Sequence, residues 1–259
     1  METLVITEGT SESAKAIGIR RAKGSVIGIL ASDNELIEPD FLSEMYRNAV
    51  FHGAAYPLKY HYQRNDDVLN RYFALIGGND PLSFYMGKND RMSYLTGRGF
   101  NSSGSIGDNG YFVRKDLIEK TDLDNYYHID NAIESGALTV AMPYTIWHKT
   151  GGNIFSFFAK RYRYGLQHAF NKNRRWHLVD FRKPGDVWKL TAFVILSLSL
   201  VHPLLLSMQG YLKIRDKAWF VHPIACLGTV FTYGLLVVHL MLKRLKSLSP
   251  SAPMVVRRA

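Results

Sequence analysis

The sequence predicts an α/β layered domain followed by a hydrophobic helical hairpin, on three observations. Strand-type and helix-type segments alternate through the first 180 residues, two later runs carry no charge, and basic clusters flank those runs on their outer sides. Alternating segments of this kind build layered α/β domains. Uncharged runs with basic flanks are the pattern of membrane-inserted helices.

The elements follow in order along the chain. Residues 3–7 (TLVIT) read as a short strand ended by Glu8-Gly9-Thr10-Ser11. Ser11 or Ser13 can cap a helix over 14–22, with Gly24 as its stop. Residues 25–31 form a continuous apolar run, the type buried on both faces of a parallel sheet. Pro39 opens a helix reaching about Val50, and residues 54–60 read as the next strand. Residues 70–88 read as a helix breaking into a loop at Gly77-Gly78 and Asn79-Asp80-Pro81. A Gly/Ser/Asn-rich loop over 100–110 feeds a strand at 111–114, and residues 125–136 bring His128 and Asp130 into a short helix. Ile146-Trp147-His148 ends another apolar strand, and residues 157–165 (FFAKRYRYG) interleave basic and aromatic side chains.

The length of 259 residues suits one ample domain with an appendage. With 32 Lys+Arg against 22 Asp+Glu, the net charge of +10 calls for an anionic partner: nucleic acid, phospholipid headgroups or a phosphorylated substrate. Nucleic acid is the weakest of these, because no recognised nucleic-acid module is present. The single cysteine, Cys226, excludes an intrachain disulfide and lies in an apolar stretch as packing. No signal peptide opens the chain.

Residues 190–212 and 218–242 contain no Asp, Glu, Lys or Arg. Each run exceeds the roughly 20 residues that span a hydrocarbon core. Arg174, Arg175, Arg182, Lys183 and Lys189 precede the first, and Lys243, Arg244, Lys246, Arg257 and Arg258 follow the second. The expected organisation is therefore a domain over 1–185, two transmembrane helices over 186–246 and a basic tail over 247–259. The excess of positive charge on the flanks orients this as a multi-pass protein of the cell membrane. The domain and tail face the cytoplasm, and the hairpin tip at 213–217 lies outside. Membrane lipid is then one partner, and part of the net charge is explained by anionic headgroups.

Three groups of residues are candidates for chemistry. The apolar run at 25–31 stops at Ser32-Asp33-Asn34, then Glu35. Carboxyl ends of strands are where such sheets bind ligands, so Asp33 is either part of a plain turn or a ligand site. Gly107-Asp108-Asn109-Gly110 can offer backbone N–H groups to an anion or sugar, or serve as an ordinary surface turn. The Lys160-Arg161-Tyr162-Arg163-Tyr164 run reads as an interfacial helix on a membrane or as an anion contact.

In order, these residues resemble a membrane-anchored family 2 glycosyltransferase of the GT-A type. The features are Lys15 to Ile19 before Ala22-Lys23-Gly24, Ser32-Asp33-Asn34 with Pro39 to Leu42 beyond, Gly107 to Gly110 before Arg114, His128-Ile129-Asp130, His148, the basic-aromatic run and the closing hairpin. The resemblance covers about residues 3–185. It implies a GT-A-like, Rossmann-like mixed sheet with flanking helices, and transfer of a sugar from a nucleotide-sugar donor to a lipid-linked or other cell-envelope glycan acceptor. Asp33 matches the last acid of the family's DxD element, which holds Mg²⁺ or Mn²⁺ against the donor diphosphate, and Ala31 stands where the first acid belongs. Asn34 and His148 are the implied assistants. Asp130 matches the catalytic base, with a helix N-cap as its structural alternative. His128 orients that base or contacts the acceptor, and Gly107, Asp108, Asn109 and Gly110 line the donor-sugar and acceptor side. Arg161 and Arg163 match, loosely, the basic residues of the family's QxxRW motif. The family's opening V-I-P-x-x-N strand and D-G-S-x-D turn have no match here, so the expectation is a domain that lacks its first strand-helix unit. Ala31 and that lack support the alternative implication, a catalytically inactive homologue acting as a membrane-anchored binding subunit.

Overall fold

A computed structural model describes residues 2–8, 11–89, 91–97, 109–121, 123, 136, 138–150, 152–170 and 178–248. The α/β part is built from α1 (Ser11–Arg21), β1 (Val26–Ile29), β2 (Asn34–Leu36), α2 (Phe41–His52), β3 (Gly53–Tyr60), α3 (Val68–Ile76), α4 (Pro81–Met86), β4 (Tyr111–Arg114), α5 (Lys115–Ile118) and β5 (Leu138–His148). After it come α6 (Ile154–Phe170), α7 (Pro184–Ser199), α8 (Val201–Lys213), a 3₁₀ turn (Lys217–Val221) and α9 (His222–Leu248).

The five strands form one mixed sheet in the order β1-β4-β3-β5-β2. β3 and β5 run parallel at its centre, and the other neighbours are antiparallel. The layered α/β expectation holds at this level. α2 shows how the sequence specifies the layer: Phe41, Met45 and Ala49, four residues apart, share one helix face and are all buried against Ala55, Phe112 and Met142. On the opposite side, Ala16 and Ile19 of α1 pack on Ile27, Ile29, Ala54 and Val113.

Two strand expectations fail. Residues 3–7 form no strand and are mostly exposed, since β-propensity without a partner ladder does not hold a strand. β1 is not a parallel strand buried on both faces: it sits at the sheet edge, antiparallel to β4, with Ile27 and Ile29 buried and Gly28 exposed between them. A continuous apolar run does not distinguish these two settings.

The apolar C-terminal part also departs from a straight hairpin. Within the first run, α7 and α8 meet at 85°, hinged at Leu200, whose φ of 59° lies in the left-handed region. The tip expected on the far side of a membrane instead rests on the α/β part. Asp216 accepts a hydrogen bond from Tyr62 Oη at 2.5 Å, and Arg71 Nε lies 2.9 Å away. Lys213 donates to the carbonyl of Leu95. Trp219 is buried in a cluster with Leu69, Tyr72, Phe73 and Phe157. The stretch Lys217–Leu245 is long and apolar enough to cross a membrane, and the bent pair α7–α8 meets the same test if taken as one broken span. Cys226 is buried, as expected of packing.

Candidate functional site

Strand register builds the site. Residues 31–34 make a tight turn closed by the Asn34 N–H on the Ala31 carbonyl at 3.1 Å. The Asn34 side chain locks the turn from within, its Oδ1 accepting from the Ala31 N–H at 3.0 Å. β2 begins at Asn34, pairs antiparallel with β5, and so brings Asn34 opposite His148. The ladder runs one step further, with the Lys149 N–H on the Asp33 carbonyl at 2.9 Å. Residues more than a hundred positions apart thus meet because a three-residue strand begins where β5 ends.

The side chains at this point are Asp33, Asn34 and His148. Asp33 Oδ1 lies 3.3 Å from His148 Nδ1, and Asn34 Nδ2 lies 3.0 Å from the same nitrogen. Since Asn34 Oδ1 faces the Ala31 N–H, it is the amide NH₂ that faces His148, and it donates to Nδ1 of a neutral ring. Asp33 Oδ1 then faces a nitrogen whose single lone pair Asn34 already occupies and which has no proton to give. That oxygen is buried and has no hydrogen-bond donor among the described residues. A carboxylate oxygen held out of water without a donor is unfavourable until a positive charge, a proton or a cation, meets it.

The carboxyl of Asp33 is pushed up by partial burial, but His148 beside it and the Lys160 ammonium outweigh burial and hold it below the usual carboxylate value. The lowering through His148 requires a proton on Nδ1, whereas the Asn34 contact requires that nitrogen bare. The geometry of Asn34 is the firmer guide, because its other end is fixed by a backbone N–H.

Behind His148 a polar network ties the remaining candidates in. Tyr60 stacks on the His148 ring at 5.6 Å, and its hydroxyl accepts from Asn109 Nδ2 at 3.1 Å and Asn79 Nδ2 at 3.3 Å. Arg91, fully buried, donates to the Asn109 carbonyl and lies over the rings of Tyr56 and Tyr60 at 5.5 and 5.4 Å. Gly110 has φ of +73°, and a Cβ there would stand 2.7 Å from Ile146 Cδ1. Asn109 and Gly110 are therefore fixed by the sheet and placed one ring away from His148. A small depression beside the network is lined by Tyr60, His61, Asp66, Asn79, His148 and Thr150.

The two arginines separate. Arg161 donates to the Asn79 carbonyl and lies over Phe157 at 5.1 Å, which commits its guanidinium to bracing the loop before α4. Arg163, two residues on and so about 200° around the helix, is exposed. They do not form a joint clamp. Lys160 is the basic residue on α6 whose charge reaches Asp33. Gly107, Asp108, His128 and Asp130 lie outside the described residues.

Sequence reasoning did not assign Tyr60 or Asn79 to the site, and within the basic-aromatic run it singled out Arg161 and Arg163 rather than Lys160. Tyr60 reads as an ordinary strand end, and Asn79 as turn punctuation before Asp80-Pro81. Only the side-by-side placement of β3 and β5 shows that both face the end of β5. Among the described residues, no three His, Cys, Asp or Glu side chains gather as a metal cage. No protein-family model and no curated protein matches this chain.

Proposed function

We propose that this chain is a membrane-bound glycosyltransferase, moving a sugar from a nucleotide-sugar donor to a lipid-linked or cell-envelope glycan acceptor at the cytoplasmic membrane face. The observation that carries the reading is the buried, donorless Oδ1 of Asp33 facing His148 Nδ1 in the turn between β1 and β2. The open carboxylate oxygen of Asp33 would suit a divalent cation completed by substrate phosphate oxygens and water, in the way Mg²⁺ is commonly held. Such an ion supplies charge neutralisation to the departing nucleoside diphosphate.

The chain's own residues do the rest. Asn34 orients His148 and closes the turn that presents Asp33. Lys160 contributes positive charge on the diphosphate side. Tyr60 and Asn109 fix the ring of His148 from behind. Asp130 is the base that the family resemblance implies. It takes the acceptor hydroxyl proton while that oxygen attacks the anomeric carbon, and the bond to the diphosphate breaks with its electron pair leaving on the nucleotide. One observation favours the second reading, a catalytically silent binding subunit: Ala31 stands at the first-acid position and offers no ligand.

The test is donor turnover by the full chain in lipid with Mn²⁺, using UDP-glucose, UDP-N-acetylglucosamine and GDP-mannose, against Asp33→Ala and Asp130→Asn. The enzyme reading expects turnover that falls about a hundredfold or more in each variant. Equal, background-level turnover in all three chains overturns it and leaves the binding subunit.

A further inference from the structure

The first apolar run, α7 with α8, is long enough in total to cross a bilayer but is not shaped to do so. α7 with 16 residues and α8 with 13 measure about 24 and 20 Å, each short of the roughly 30 Å hydrocarbon core. They meet at 85°, where membrane helices tilt by only about 20° from the normal.

Both ends of the run, and its middle, are tied to one body. At its start, Lys88 Nζ donates to Asp186 Oδ2 at 2.8 Å, both groups being buried. At the elbow, the Tyr85 hydroxyl of α4 lies 3.1 Å from His202 Nδ1. At its end, Lys213 donates to the Leu95 carbonyl and Asp216 is held by Tyr62 and Arg71. Gly210 lets α8 close onto Trp219, where a Cβ would stand 2.3 Å from the indole. The run lies on the α/β part from end to end.

Its outward face is apolar. Phe193 and Ser197 of α7 are buried, while Trp188, Ile195 and Leu198 are exposed. Pro203, Ser207 and Gly210 of α8 are buried, while Val201, Leu205, Met208 and Leu212 are exposed at helical spacing. Large apolar residues stand on the outer face as well as on the inner one, which is not the pattern of a water-facing helix. Exposed Lys183, Arg215 and Lys217 stand at the two ends of this charge-free face, matched to anionic headgroups.

We infer that α7–α8 is a monotopic element: its outer stripe sits in one leaflet of an anionic bilayer, and both its ends, with the tip at 213–217, stay on the same side as the α/β part. The stretch Lys217–Leu245 is then the remaining candidate crossing. The inference rests on the membrane association proposed above.

Three chains, each with one added cysteine, test it in sealed membrane vesicles of one orientation, probed with a membrane-impermeant maleimide: Lys23→Cys in the α/β part, Arg215→Cys at the tip and Met208→Cys on the stripe. Lys217→Cys replaces Arg215→Cys if that chain does not accumulate. Cys226 is buried, and the unsubstituted chain supplies the blank. The expected result is equal labelling of Lys23→Cys and Arg215→Cys before permeabilisation. Met208→Cys is expected to be protected, and a dye attached to it after solubilisation and reconstitution is expected to be quenched by brominated lipid chains. Tip and domain labelling from opposite faces overturns the inference and leaves membrane association standing. Labelling of Met208→Cys as fast as Arg215→Cys also overturns it. A chain that does not float with phosphatidylglycerol vesicles removes both the association and the inference.

Discussion

Two carboxylates, Asp33 and Asp216, are both partly withdrawn from water, and both are held below the usual carboxylate value against the upward push of burial. Their surroundings differ in completeness. Asp216 accepts from the Tyr62 hydroxyl and from the Ala218 N–H at 2.8 Å, and is ion-paired with Arg71. Asp33 keeps a buried oxygen with no donor, beside a histidine nitrogen that Asn34 already serves. A carboxylate whose acceptors are filled by its own fold is structural. One left open at a strand end, next to a second acceptor, is where a cation or substrate gains something from binding.

The difference can be broken from either side. Asp216→Ala leaves Arg71 without its partner carboxylate and undocks the tip, so it is expected to cost about 3–5 kcal/mol, read as a fall in thermal midpoint in detergent. Gly110→Ala forces a side chain into a left-handed position against Ile146, at a cost of about 2 kcal/mol. Asp33→Ala is expected to change the midpoint by under about 1 kcal/mol while removing donor turnover; a large stability loss with turnover intact would reverse the roles assigned to the two acids. Arg163→Ala, on an exposed face, is expected to stay within about 0.5 kcal/mol of the parent.

pH sharpens the same contrast. A carboxyl with a lowered folded-state value contributes stability above its unfolded value near 3.9, and that contribution is lost as pH falls through the lowered value. The Asp216 contact is therefore expected to be fully present at neutral pH and to weaken below about pH 4. In a melting series the parent chain should lose stability over that window, and Asp216→Ala should lose less of it.

The parts of the fold legible in the sequence are those decided locally. α2 follows from Phe41, Met45 and Ala49, whereas α4, with Pro81 behind the Asp80 cap on the Leu82 N–H, stands where the sequence reads as a loop. What was not legible was decided by pairing. β2 is three residues, Asn34–Leu36, without β-branched side chains, and exists because β5 lies beside it. The edge position of β1 and the 85° elbow at Leu200 likewise depend on partners far along the chain. At the site, Asp33 and His148 were visible as residue types at strand ends. That Asn34 claims the His148 nitrogen, that Arg161 is spent on the Asn79 carbonyl and that Lys160 faces the site are three-dimensional facts without a local signature.

The most direct measurement is Mn²⁺ binding followed by the electron paramagnetic resonance signal of the free ion, with UDP present. The account predicts that the parent chain in lipid lowers that signal, and that Asp33→Ala at the same concentration leaves it at the level of Mn²⁺ with UDP alone. An equal fall with both chains would contradict the assignment of Asp33 as the cation-diphosphate contact.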